Sequence, residues 1–146
     1  MSAAIERLEP LVGEWNVVAA LSPDDNPAGR CVFEWVLDGA FLIERSEIPG
    51  PVPDSVSLYS VAADGGGFTH HYYDSRGVAR LYAMTLEDGV WTMSREAPDF
   101  SPLRFHQRYT GRFDAGAARI DGAWEVSHDE GVTWELDFEL THTRIT

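Results

Sequence analysis

The segment His70-His71-Tyr72-Tyr73-Asp74 places two imidazoles, two phenols and a carboxylate in consecutive positions. Imidazole beside carboxylate is the raw material of proton transfer and of metal ligation. Adjacent residues on a strand point to opposite faces, so His70 and His71 cannot both reach one ion. His106, His128 and His142 have no short spacing to either, so no metal and no cofactor is expected. A carboxylate pair for acid–base work could be drawn from Glu34, Glu44, Glu47 and Asp74. With 24 acids in the chain, however, such pairs are easily found. The lone cysteine, Cys31, excludes an internal disulfide and a thiolate-rich metal site. Lying in an apolar strand-like run, it reads as a buried structural thiol rather than a nucleophile. The sequence contains no nucleophile elbow, phosphate loop or dinucleotide fingerprint.

Arg80 and Arg95 carry more information. Each falls in an aromatic-rich, alternating stretch, and burying a cation without a partner is costly. Each must meet an acid, an aromatic face or a ligand. An internal salt bridge to Glu34, Glu44 or Glu47 is one outcome. The other is that the two arginines orient an anionic or carbonyl group of a bound molecule.

The elements that would position these groups are strands. Ala3 to Glu9 can form one or two helical turns, ended by Pro10. Beyond that, alternating or aromatic-rich runs are followed by turn signals about every 8 to 12 residues, as in sandwiches and barrels. The expected strands are Gly13–Leu21, Arg30–Leu37, Ala40–Ile48, Ser55–Ala62, Gly67–Asp74, Gly77–Leu86, Gly89–Glu96, Arg104–Phe113, Ala118–Ser127 and Val132–Thr143. Asp38-Gly39, Asp64-Gly65-Gly66, Ser75-Arg76, Asp88-Gly89, Ala115-Gly116 and Asp129-Glu130-Gly131 punctuate them. About ten strands in hairpin succession predict an all-β, up-and-down antiparallel barrel over residues 1–146, with a short N-terminal helix. A sandwich is the rival. A barrel of that size has room inside for more than packed side chains.

Hairpin pairing then sorts side chains by face. A turn at Ser75-Arg76 pairs Asp74 with Gly77, which puts His71, Tyr73, Val78, Arg80, Tyr82 and Met84 together. Carried through Glu87-Asp88, the same face gains Trp91, Met93 and Arg95, and we expect it to look inward. In the last strands Phe105, Gln107, Tyr109, Ile120, Trp124, Val126, Trp134, Leu136, Phe138 and Leu140 form an apolar face. Arg108, Asp121, Glu125, Glu135, Asp137 and Glu139 lie opposite, so much of the acidity is skin. In the early strands Val32, Glu34 and Val36 share a face with Phe41, Ile43, Arg45 and Glu47, while Phe33, Trp35, Leu42, Glu44 and Ser46 lie opposite. Neither face is wholly polar, and the choice between them stays open.

Composition narrows the partners. A net charge of −13 and the lack of a basic stripe argue against nucleic acid and anionic membranes. The opening MSAAIERLEPLVGEW has no apolar run long enough for a signal or membrane helix, so a cytoplasmic protein is expected.

Two segments carry resemblances. Ser127-His128-Asp129-Glu130-Gly131-Val132-Thr133-Trp134 resembles the Asp-box of sialidases and related propellers, where it closes a hairpin. The chain is too short for a propeller, and we read the segment as a hairpin closure. The opening Leu11-Val12-Gly13-Glu14-Trp15 carries the Gly-x-Trp of the calycin superfamily, whose Trp closes the barrel floor. The runs from Phe33 to Leu42 and from His71 to Gly77 look like those of bacterial uncharacterised lipocalin-like domains. The resemblance implies a barrel with an internal pocket and names no activity. Nitrobindins, the haem-binding branch, also begin with Gly-x-Trp but continue with further glycines and ligate haem through a C-terminal His. Here Asn16-Val17-Val18 replaces those glycines, and His142 stands near the end.

The leading expectation is therefore a binding protein for a small, partly apolar molecule. Its wall would draw on Glu34, Arg45, His71, Tyr73, Arg80, Tyr82, Trp91, Arg95, Tyr109 and Trp124. The alternatives are an isomerase- or cyclase-type enzyme in the same pocket, a haem-binding nitrobindin-like protein, and a homodimerising module with a filled core.

Overall fold

The computed structural model describes residues 2–145. A short helix α1 (Ala3–Glu6), N-capped by the Ser2 hydroxyl, leads into a 3₁₀ turn at Glu9–Leu11. The strands are β1 (Gly13–Ala20), β2 (Ala28–Val36), β3 (Phe41–Glu47), β4 (Ser55–Val61) and β5 (Phe68–Asp74). They continue as β6 (Ala79–Glu87), β7 (Val90–Arg95), β8 (His106–Phe113), β9 (Arg119–Ser127) and β10 (Glu135–Arg144). All ten form one closed antiparallel barrel in which each strand pairs with its sequence neighbours and β10 returns to β1. The expected fold class is the one observed.

Period-two alternation builds the wall. Along β1, Trp15, Val17 and Ala19 are buried while Glu14, Asn16 and Val18 face outward. The helical opening plugs the end where β1 begins: Ile5, Leu8 and Leu11 are buried beneath it and join one cluster with Trp15, Phe33, Leu42 and Trp91. Trp15 donates its indole N–H to the Leu11 carbonyl at 2.9 Å, and the Arg144 guanidinium lies 4.1 Å from the Trp15 ring. Arg144 also donates to the carbonyls of Val12 and Pro10 at 2.6 and 2.7 Å. Gly13 makes this closure fit: its φ is +127°, and a Cβ there would stand 2.7 Å from the Arg144 Nη1. The Gly-x-Trp motif thus ties the N-terminal plug to the last strand.

Two expected facings are corrected, one by turn geometry and one by a bulge. The β5–β6 connection is a three-residue loop, Ser75-Arg76-Gly77, with Gly77 at φ +82° and the Asp74 N–H bonded to the Val78 carbonyl. The extra residue pairs Tyr73 with Ala79 rather than Val78, and a one-residue slip exchanges faces. His71 and Tyr73 therefore point outward, Tyr73 with 44% of its surface exposed, while His70 and Tyr72 line the interior. At β6–β7 the two-residue turn is Asp88-Gly89, both at positive φ, and Met84 pairs with Met93 rather than Trp91. That slip is an even number of residues, so Arg80, Tyr82, Met84, Trp91, Met93 and Arg95 keep the expected inner face.

In β10 the register shifts between Leu136 and Phe138, a bulge that turns Leu136 outward at 60% exposure. Trp134 packs outside as well, under the Arg108 guanidinium at 4.1 Å, with Arg108 paired to Glu125. The Asp-box segment closes its hairpin: the Asp129 carboxylate accepts from the Thr133 N–H and the Ser127 hydroxyl, both at 2.8 Å, and Gly131 takes φ +88°. For the early strands the open choice resolves with Cys31, Phe33, Leu42, Glu44 and Ser46 inside.

Candidate functional site

The barrel is hollow. A cavity of about 300 Å³ opens at the end opposite the helical plug, toward the longer loops. Its wall is mostly aromatic. Tyr59 stacks on His70 with centroids 4.6 Å apart, His70 faces Tyr82 at 5.1 Å, and Tyr82 meets Trp124 at 5.4 Å. Trp124 meets Tyr109 at 5.2 Å, and Tyr109 meets Trp91 at 5.0 Å. Tyr109 owes its seat to Gly122, where an added Cβ would fall 2.2 Å from the Tyr109 oxygen. A side chain at that point of β9 would push the buried ring into the cavity.

Polar groups stand at two depths. Near the mouth, Gln107 Oε1 accepts from Arg80 Nη1 at 3.3 Å and from the Tyr82 hydroxyl at 3.1 Å. The Phe105 ring lies beside the Arg80 guanidinium at 5.6 Å. Among the described residues Arg80 forms no ion pair, unlike Arg95, whose guanidinium grips Asp99 through two bonds of 2.8 Å. Both of those side chains are 3% exposed. The Arg95 pair holds the Asp99 carboxyl well below the usual carboxylate range, helped by the Leu81 and Ser101 N–H groups.

Deeper in, Glu44 accepts from the Tyr59 hydroxyl at 2.6 Å. Burial raises its pKa to about 7 against the opposing hydrogen bonds of Tyr59 and Cys31. Burial pushes the Cys31 thiol up as well, with Glu44 adding to it. His70 bonds Ser57 Oγ through Nε2 at 2.7 Å, and burial lowers it to about 3. His142 is buried beside the rings of Trp15 and Trp91, and burial lowers it to about 4. Among the described residues, three buried polar atoms here have no hydrogen-bond partner: Trp91 Nε1, Tyr109 Oη and His142 Nδ1.

Of the residues read from sequence as the wall, Arg80, Tyr82, Trp91, Tyr109 and Trp124 border the cavity. Arg95 faces inward but is satisfied by Asp99. His71 and Tyr73 lie outside for the reason given above. Glu34 and Arg45 are outside too, joined in an exposed ion pair on the outer faces of β2 and β3. The sequence reading missed His70, Gln107, Glu44 and His142 as wall residues. A three-residue turn read at Ser75-Arg76-Gly77 would have placed His70 inside; no local signal marks Asp99 as the partner of Arg95.

A haem does not fit these residues. His142 is 1% exposed, the Trp15 and Trp91 rings stand 6.1 and 5.8 Å from it, and donor atoms of Cys31 and Glu44 lie within 4.8 Å. A flat macrocycle needs open space around the ligating nitrogen, and that space is taken.

Comparison with known proteins bears on the fold. No family model matches the sequence, and no curated protein does so. A solved structure of similar shape is that of Rv2717c from M. tuberculosis, at a TM-score of 0.70 and 14% identity, covering 100% of this chain and 99% of that one. A protein of unknown function from the DUF3598 family of Nostoc punctiforme aligns over 99% of this chain at 8% identity, with a TM-score of only 0.29. The chain is thus similar in fold to Rv2717c, from end to end.

Proposed function

We propose that this is a calycin-like binding protein whose cavity takes one small, partly apolar molecule bearing an anionic or carbonyl group. The observation that carries the reading is Arg80, a cation on an aromatic cavity wall with a glutamine oxygen as its partner and no carboxylate paired to it. Small-molecule sites combine apolar walls with a few placed polar groups, and a cavity of about 300 Å³ lies at the small end of their range. Aromatic burial contributes about 25 cal/mol per Å² removed from water. Arg80 adds a charge-assisted hydrogen bond worth about 1.5–3 kcal/mol. A dimerising module with a filled core has no use for this hollow.

The test compares an anionic aromatic probe with a neutral analogue of equal size, read by tryptophan fluorescence. Trp91 and Trp124 both border the cavity, so either probe should change the emission. Arg80→Leu should weaken the anionic probe about ten- to hundredfold and spare the neutral one. Equal weakening of both, or no change in either, would overturn the assignment of Arg80 as the anchor.

A further inference from the structure

Cys31, Glu44 and His142 come from three different strands, yet register brings them together. Trp15 of β1 pairs with Cys31, and Val17, two residues on along the same inner face, pairs with His142. Ser46, opposite Cys31 in the β2–β3 ladder, is two residues from Glu44. One donor atom from each of the three lies within 4.8 Å of the others. We propose that they form a three-ligand site for a borderline-soft divalent transition ion of the zinc class, with its fourth position open to the cavity.

The donor set suits that ion. Zinc takes thiolate, imidazole and carboxylate at roughly 2.0–2.3 Å, which sets tetrahedral donors roughly 3.3–3.7 Å apart. The trio needs to close by only about an ångström. A thiolate, a carboxylate and a neutral imidazole around a dication sum to zero, so the loaded centre carries no net charge into the barrel interior. Three protein ligands facing a cavity is the arrangement of an exchangeable rather than a purely structural zinc site. Glu44 and His142 both border the cavity.

Two further observations favour an occupant. His142 Nδ1 is buried without a hydrogen-bond partner, whereas a core imidazole ordinarily satisfies its nitrogens. Glu44 Oε1 is held by the Tyr59 hydroxyl at 2.6 Å, the kind of supporting bond that orients a ligating carboxylate. The unpartnered Trp91 Nε1, on a ring 5.8 Å from His142, would donate to an oxygen bound at the fourth position. The site lies below Arg80 and does not depend on the reading of that residue.

The experiment uses the full chain, stripped with a chelator and titrated with Co²⁺, then with Zn²⁺ as competitor. The chain has one cysteine, so a thiolate-to-cobalt charge-transfer band can come only from Cys31. We expect that band to saturate at about one Co²⁺ per chain, to vanish on Zn²⁺ addition, and to be unaffected by Arg80→Leu. Cys31→Ser should abolish it. Glu44→Gln and His142→Ala should weaken uptake at least ten- to hundredfold, since even the loss of supporting residues has that effect. No uptake by the unmodified chain, uptake without the thiolate band, or uptake that the three variants leave unchanged would each overturn the site. The unmodified protein alone decides the matter should a variant fail to fold.

Discussion

His70 sits between the rings of Tyr59 and Tyr82 with Nε2 on Ser57 and Nδ1 against the Met93 sulfur. Neither of those partners carries a charge to balance a second proton, and burial, with His71 adding to it, lowers the imidazole from 6.5 to about 3. The unfolded chain therefore binds a proton between those values that the folded chain does not. Stability contributed by neutral His70 is present above pH 6.5 and is lost as pH falls toward 3, at up to about 1.4 kcal/mol per pH unit. His70→Gln should flatten the acid slope of the unfolding free energy by about that amount, as measured by urea melts at half-unit steps from pH 7 to 4. An unchanged slope would mean that His70 titrates normally and is not enclosed. Residue by residue, the site was only partly legible in the sequence. Arg80 announced itself because a cation stood in an apolar alternation. A two-residue turn at Ser75-Arg76 would put His70 outward; facing is a parity, and one more turn residue reverses it.

The connection between β7 and β8 is an element without regular structure that behaves as a strap. Asp99 reaches back from it to clamp Arg95 and to accept from the Leu81 N–H at 2.8 Å. The β6–β7 ladder runs from Ala83–Ser94 to Glu87–Val90, and Asp99 supplies Leu81 with the acceptor it would otherwise lack. Removing one partner of a buried pair leaves the other charge stranded, so Asp99→Ala should cost about 3–5 kcal/mol. Arg45→Ala, which breaks the exposed Glu34–Arg45 pair, should cost no more than about 1 kcal/mol. Comparable losses in chemical denaturation would show that the strap is not what satisfies Arg95. At this scale the sequence was most readable. Asp88-Gly89 at positive φ and the Asp129-to-Trp134 closure are local chemistry, and the hairpins fall between the expected strands even where the register of a turn differs by one or two residues. The β10 bulge was not readable, because the alternation Trp134, Leu136, Phe138, Leu140 continues unbroken through it. Only pairing with β9 reveals the extra residue at Asp137.

For the molecule as a whole, one pairing differs in kind from the rest. Every ladder but one joins strands adjacent in sequence, and the exception, β1 with β10, joins residues such as Trp15 and Arg144 across nearly the whole chain. Local hairpins can form before the ends meet, whereas the seam must wait for most of the wall, since non-local closure carries its entropy cost before its contacts are made. Arg144 is the clasp, with its backbone carbonyl partners Val12, Pro10 and Ala117 and the Trp15 face. Charge-assisted hydrogen bonds and a cation–π contact of this sort together support a loss of about 2–4 kcal/mol for Arg144→Ala, well above the threshold for a reliable kinetic ratio. If the seam closes last, nearly all of that loss should appear as faster unfolding, with a φ-value below about 0.3. A hairpin variant such as Asp129→Ala should instead slow folding. Chevron plots of the two variants decide between these orders of assembly. A φ-value near 1 at Arg144, with folding slowed and unfolding unchanged, would mean that the clasp between the N-terminal plug and the last strand nucleates the barrel rather than sealing it.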